Sequence, residues 1–164
     1  MYNRFLTYLL SNDAERCVSK LGVILRKAIW PVMRLFVPLT TPTKLCVIHR
    51  ADMPKGPVIF ASTHGFKEDA EDALLVSNRP CYILIGSLSQ VFKSIQGISA
   101  WAVGAILVNR MEKESRRSAK EKMIRALQLG ANVIIFPEGT CSTQRNDYPT
   151  GIFYVCYQSK RKRE

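Results

Sequence analysis

The sequence predicts a single α/β domain, in which a mostly parallel or mixed sheet is covered by helices and preceded by an N-terminal amphipathic helical segment. Two observations support this fold class. The chain has 164 residues, of which 47% are hydrophobic and 23% charged, enough apolar chain for one core. From residue 44 onward, short apolar runs typical of strands alternate with longer runs typical of helices.

The chain divides into three parts by composition. Residues 1–43 contain the N-terminal helical segment, residues 44–159 the predicted domain, and residues 160–164 a basic tail. The tail carries four consecutive cations, a pattern typical of solvated chain.

The N-terminal segment is most apolar over residues 21–39. Three cations interrupt this run: Arg26, Lys27 and Arg34. It therefore lacks the ~20 consecutive apolar residues that span a bilayer. Pro31 and Pro38 punctuate it, which predicts one or two short amphipathic helices. Such helices either cover the core or lie in a membrane interface. In the interface, Trp30 and Phe36 would suit the headgroup boundary, and we expect the three cations to extend to anionic headgroups.

The strands and helices of the domain follow in order. Strands are predicted at residues 45–49, 58–61, 82–85, 105–108 and 132–136, with the second of these buried. Helices are predicted at residues 68–76 and 114–129. A turn is predicted at residues 53–57, and a short helix and loop at residues 87–101.

The helix at residues 114–129 has the clearest pattern. Ala119, Met123, Ala126 and Leu127 share one face of it. Gly130 follows its last turn and is the residue type that commonly ends a helix.

Charge and cysteine content restrict the classes of function. The net charge is +11, which favours polyanionic partners such as nucleic acid, an anionic membrane or phosphorylated small molecules. The basic residues between 113 and 125 alternate with glutamates, typical of a solvated helix face, so we expect no nucleic-acid partner. Five cysteines without a CxxC pair indicate a reducing compartment and no metal site.

A histidine follows the second predicted strand, and an aspartate lies five residues further on, at the start of a helix. His64 and Asp69 occupy these positions. Chemistry in α/β proteins concentrates where strand ends meet helix starts. At this spacing the carboxylate can accept a hydrogen bond from one imidazole nitrogen, which leaves the other free to act as a base.

Two further strand ends carry polar residues. Arg110 follows the strand at residues 105–108, and its planar, permanently charged side chain suits a phosphate or carboxylate. The strand at residues 132–136 runs into Pro137, Glu138, Gly139 and Thr140. Glycine there would let the backbone approach a ligand closely, beside a carboxylate and a hydroxyl.

In combination these blocks resemble the glycerolipid acyltransferase superfamily, and in particular its bacterial 1-acyl-glycerol-3-phosphate acyltransferases. The resemblance covers His-x4-Asp, a strand ending in Arg, a basic helix ending in Gly, and Phe-Pro-Glu-Gly-Thr, in that order over about residues 57–142. It implies an enzyme of phospholipid biosynthesis that moves a fatty acyl group from a thioester donor to a hydroxyl of a lysophospholipid or glycerol phosphate.

The resemblance also implies roles for individual residues. His64 would be the general base and Asp69 its partner, while Arg110, Glu138, Gly139 and Thr140 would bind the glycerol-phosphate part of the acceptor. It implies no metal and no organic cofactor, since acyl-CoA or acyl-carrier protein serves as co-substrate. We expect peripheral attachment to an anionic membrane surface on its cytoplasmic face.

The sequence departs from the family pattern at several points. Thr63, Phe66 and Cys141 stand where asparagine, serine and arginine are usual, and Arg145 could replace the last of these. The family continues with a proline-containing fourth block that is not found in residues 148–164. We therefore expect the C-terminal part of the domain to be missing. The alternative function is a catalytically impaired, membrane-associated protein that retains the acyltransferase fold.

Overall fold

The computed structural model describes residues 11–40, 53–62, 69–86 and 102–137. In these ranges the helices are α1 (Ala14–Cys17), α2 (Lys20–Thr40), α3 (Asp69–Ser77) and α4 (Lys113–Gln128). The strands are β1 (Ile59–Ala61), β2 (Cys81–Ile85), β3 (Ala105–Leu107) and β4 (Asn132–Ile135). The strand predicted at residues 45–49, the segment 87–101 and the basic tail lie outside the described residues.

The four strands form one parallel sheet in the order β1-β4-β2-β3. Val133 of the central strand β4 lies opposite Ile59 on one side and Tyr82 on the other. All four residues of β4 are buried, whereas β1 is only half-buried, because in the described sheet it pairs on one side alone. The α/β fold class is therefore confirmed. The prediction of a buried strand at residues 58–61 is wrong, since residues 58–60 are half-buried and Ala61 is exposed.

Helices cover both faces of this sheet. Val133 and Ile135 of β4 point to one face, where they pack with Ala126 and Leu127 of α4. Ile134, between them, points to the other face, where it packs with Leu74 of α3. This alternation is the period-two pattern of a strand, and it divides the core into two layers.

Helix α4 forms as its sequence predicts. Its predicted core residues are all buried: Ala119, Met123, Ala126 and Leu127. Gly130 follows it with φ +77°, a conformation that glycine adopts without steric cost. The amide of Ala131 donates to the carbonyl of Ala126 over 2.9 Å, so the last turn is closed before β4 begins.

The short helix α1 docks on α4. Asp13 caps it by accepting from the amides of Glu15 at 2.8 Å and Arg16 at 3.2 Å. From α4, Arg125 donates through Nε to the carbonyl of Val18 over 2.7 Å and pairs with Glu15 at 2.9 Å. The N-terminal segment is thus attached to the domain before α2 starts.

Of the one or two helices predicted here, the structure has one: α2 continues through Pro31 and, at 21 residues, is longer than predicted. Proline removes one intrahelical hydrogen bond. Pro31 is exposed, so water can satisfy the carbonyl that this leaves without its usual donor. Val23 of α2 is buried in the core layer of α4, and Trp30 is half-buried against the layer of α3.

Arg26 of α2 does not reach toward solvent as a lipid-facing cation would. It is 9% exposed, and its Nη1 donates to the hydroxyl of Tyr82 over 3.0 Å and to the carbonyl of Gly22 over 3.2 Å. The expectation that Arg26 extends to headgroups is therefore wrong. Tyr82 offers both a hydroxyl acceptor and an aromatic face, and these hold the guanidinium inside the protein.

Candidate active site

The candidate site is built on the carboxyl edge of the sheet. Because the four strands are parallel, their carboxyl ends share one edge, where α/β proteins place their ligands. Ser62 follows β1 there, and its amide donates to the carbonyl of Ile135 over 3.0 Å. The chain therefore leaves β1 and β4 from adjacent points, toward the His-x4-Asp block and the Phe-Pro-Glu-Gly-Thr block.

Asp69 is the first residue of α3 and is half-buried. The first turn of α3 also carries Glu71 and Asp72. A helix N-terminus stabilises carboxylates, because its free amides and the helix dipole present positive charge. Helix α3 ends at Ser77, just before β2 begins at Cys81, so its first residue, Asp69, lies toward the carboxyl edge of the sheet.

Arg110 lies in the turn between β3 and α4, beyond the carboxyl end of β3, and its side chain is exposed. The amide of Val108 donates to the carbonyl of Ile85 over 3.0 Å, so the sheet pairing of β2 and β3 extends to this turn. The guanidinium of Arg110 lies against Gly86, the residue that follows β2. Arg110 is therefore on the same edge as Ser62 and Asp69.

Side chains of α4 brace this turn. The amide of Asn109 donates to Ser115 Oγ over 2.8 Å, and Asn109 Oδ1 accepts from the amide of Met111 over 3.2 Å. Arg116 donates through Nη1 to the carbonyl of Arg110. The backbone that carries Arg110 is thus held on both sides.

Of the six predicted site residues, Asp69 and Arg110 are described, and they lie at the same edge of the sheet. His64, Glu138, Gly139 and Thr140 lie outside the described residues. Sequence reasoning missed Gly86, Ser115 and Arg116. No local pattern marks Gly86 as a contact of Arg110, because that contact depends on the pairing of β2 with β3.

Two cysteines, Cys17 and Cys81, lie in the described part of the chain, and both are buried. Burial raises the pKa of Cys81 to about 11, and burial also raises the pKa of Cys17. Both thiols therefore stay protonated, and only a thiolate attacks efficiently. Within the described ranges, no three His, Cys, Asp or Glu side chains come together as metal ligands would.

Helix α2 contacts the opposite, amino edge of the sheet. A small cavity between them is lined by Val23, Arg26, Lys27, Pro80, Cys81, Tyr82 and Ala131. Pro80 and Ala131 directly precede β2 and β4. In the described part of the chain, no helix has the length and the apolar character needed to cross a bilayer.

The outer side of α2 carries an apolar stripe that is exposed to solvent. Its residues are Leu21, Ile24, Leu25, Val32, Leu35 and Phe36, which are 44% to 75% exposed. At 3.6 residues per turn, they lie on the side of α2 opposite Val23 and Arg26. Lys20, Lys27 and Arg34 recur every seven residues along one flank of the stripe, and all three are exposed.

Comparison with models of known protein families gives a match over most of the chain. The model of the family described as Acyltransferase matches residues 44–161, a range that includes the whole sheet, α3, α4 and all six predicted site residues. A search of curated proteins finds no match.

Proposed function

The chain belongs to the acyltransferase family, and from this premise we propose that it transfers a fatty acyl group from a thioester donor to a hydroxyl of a phosphorylated glycerol acceptor. The donor is acyl-CoA or acyl-carrier protein. The acceptor is a lysophospholipid, such as 1-acyl-glycerol 3-phosphate, or glycerol phosphate. The reaction belongs to phospholipid biosynthesis.

In this proposal His64 is the general base and Asp69 orients it. The acceptor hydroxyl oxygen attacks the thioester carbonyl carbon while the imidazole takes the hydroxyl proton. Asp69 stabilises the imidazolium that forms. Collapse of the tetrahedral intermediate breaks the C–S bond, and the proton passes to the departing sulfur. No step requires a metal, because a thiolate is a good leaving group.

Arg110 binds the acceptor phosphate, together with Glu138, Gly139 and Thr140 of the segment after β4. A guanidinium can donate two parallel hydrogen bonds to a phosphate, which fixes both position and orientation. The observation that carries the proposal is that Asp69 and Arg110 share the carboxyl edge of a parallel sheet. The β1 and β4 exits are also adjacent there.

A thiol-release assay tests this proposal. Purified protein is given several acyl-CoAs, with glycerol 3-phosphate or lysophosphatidate as acceptor. We expect acceptor-dependent thiol release by the wild type, lost in His64→Ala with the fold retained. Turnover that persists in His64→Ala rules out this mechanism. No turnover with any donor and acceptor, in a folded protein, supports the alternative of an impaired acyltransferase fold.

We also propose that α2 attaches the protein peripherally to an anionic membrane surface, on the cytoplasmic face. The exposed stripe supplies apolar contact, and Lys20, Lys27 and Arg34 supply positive charge along its flank. A basic flank beside an apolar stripe is the pattern of helices that lie in an interface, where each cation contributes about 1 kcal/mol.

Attachment through α2 would hold the molecule by the edge opposite the candidate site. The stripe faces away from the amino edge of the sheet, whereas Asp69 and Arg110 lie at its carboxyl edge. A lysophospholipid would have to leave the bilayer region that α2 occupies to reach them, while glycerol phosphate reaches them from water. Comparing the two acceptors in the thiol-release assay separates these routes.

A further inference from the structure

Gly86 and Arg110 are in direct contact at the carboxyl ends of β2 and β3. A Cβ atom at position 86 would lie 2.6 Å from Cζ of Arg110, and closer still to Nε and Nη2. Real Cβ contacts are not that short, so the guanidinium of Arg110 occupies the space that a side chain at position 86 would fill. Only glycine at this position permits the present place of the guanidinium.

The backbone of Arg110 is held independently of Gly86. Arg116 donates to its carbonyl, and the preceding amide, of Asn109, donates to Ser115 Oγ over 2.8 Å. A side chain added at position 86 would therefore displace the guanidinium, which is the flexible end of Arg110, and leave the turn in place. The φ angle of Gly86 is not in the left-handed region, so alanine fits its backbone conformation.

We propose that Gly86 is a positioning residue, which seats the guanidinium of Arg110 over the end of β2 so that it binds the acceptor phosphate. This inference rests on the proposed function, because it takes Arg110 as the phosphate ligand. A seated guanidinium has already lost much of its rotamer freedom, so binding a phosphate costs less conformational entropy than it would for a mobile arginine.

Equilibrium binding of glycerol 3-phosphate, measured by titration calorimetry, tests the proposal without requiring turnover. The proteins are wild type, Gly86→Ala, Arg110→Ala and the double variant. We expect Arg110→Ala to weaken binding roughly 10-fold or more, as for the loss of a charged hydrogen-bond partner. Gly86→Ala should weaken it several-fold, and the double variant should match Arg110→Ala, because no guanidinium remains to be displaced.

Thermal unfolding separates displacement from damage to the fold. Gly86→Ala should unfold at the wild-type temperature or slightly above it, since alanine restricts the unfolded chain. Gly22→Ala, which adds the same methyl group on α2 away from the carboxyl edge, is the matched control and should bind like wild type. Where turnover is measurable, Gly86→Ala should raise the acceptor KM and leave kcat nearly unchanged.

The outcomes distinguish this inference from the proposed function. Wild-type binding by Gly86→Ala, a further loss in the double variant beyond Arg110→Ala, or no binding by the wild type would each overturn it. If Gly86→Ala and Arg110→Ala weaken phosphate binding as described but the protein transfers no acyl group, the positioning role of Gly86 is supported and the proposed reaction is contradicted.

Discussion

Arg26 of α2 donates a hydrogen bond from Nη1 to the hydroxyl of Tyr82 in β2 over 3.0 Å, and its guanidinium lies 4.7 Å from the centroid of the same ring. The contact joins the N-terminal helix to the sheet at its amino edge. Tyr82 is 2% exposed, so the pair is shielded from water. A buried cation keeps its place only when its donors have partners, and Tyr82 provides one of them.

The first prediction concerns this pair. Arg26→Ala should lower the free energy of unfolding by about 2–4 kcal/mol, because it removes buried packing and leaves the Tyr82 hydroxyl without this donor. Tyr82→Phe should lower it by about 1–3 kcal/mol, since the guanidinium loses a buried acceptor. Urea unfolding measures both. The control is Lys27→Ala, at an exposed neighbouring position, which should change the free energy of unfolding by less than about 0.5 kcal/mol. Equal effects of Arg26→Ala and Lys27→Ala would contradict the prediction.

The second prediction concerns the pH dependence of stability at Lys122. This residue of α4 is 3% exposed, and burial lowers its pKa below the ordinary value of 10.5, although Cys17 beside it offsets part of this effect. Between the lowered pKa and 10.5, the unfolded chain holds the proton and the folded chain does not. The free energy of unfolding contributed by Lys122 therefore rises with pH across that window.

Cys17 acts in the opposite direction above its ordinary pKa of 9.0, because burial raises its pKa and the folded chain then keeps the proton. Comparing wild type with Lys122→Met by urea unfolding from neutral to alkaline pH isolates the lysine. The stability of wild type relative to the variant should increase with pH. Lys113→Met, at an exposed position, is the control. A constant difference between wild type and Lys122→Met would refute the prediction.

The third prediction concerns Asp69. If it orients and stabilises the imidazolium of His64, Asp69→Asn should lower the acyl-transfer rate by roughly 100-fold or more. Glu71→Gln removes a charge from the same helical turn and should affect the rate far less. Initial rates of thiol release measure both, and circular dichroism checks the fold. Equal loss in the two variants would indicate a general effect of charge at the start of α3.

The fourth prediction concerns the stripe on α2. Replacing Leu35 and Phe36 with serine should weaken sedimentation with anionic vesicles even at low salt, because it removes exposed apolar contact. Raising the salt should weaken binding of the wild type by screening Lys20, Lys27 and Arg34. Neutral vesicles and an oligonucleotide are the controls for lipid charge and for a general affinity for polyanions. If the protein binds the oligonucleotide in preference to the anionic vesicles, the proposal of membrane attachment is wrong.

The sequence by itself determined the local structure of most of the described chain. Strands, the helix α4 and its glycine stop follow from hydrophobic period and end signals, which act over a few neighbouring residues. The order of motifs likewise determined the family, because the blocks are contiguous in sequence. Local signals left open whether Pro31 divides the N-terminal segment into two helices, and the structure has one helix that continues through it, with Val23 and Trp30 packed against the core.

The tertiary structure alone decided which strands are neighbours and which polar groups meet. The spacing of hydrophobic residues does not show that β4 lies between β1 and β2. Asn132 of β4 supports this order, because its side chain accepts a hydrogen bond from the amide of Val58 and donates one to the carbonyl of Pro80, each over 3.1 Å. The spacing likewise cannot show that Arg26 turns inward or that Arg110 rests on Gly86. The physical reason is that the spacing of apolar residues along a segment depends on the conformation of that segment alone. Which residues it contacts depends on packing between segments far apart in the chain.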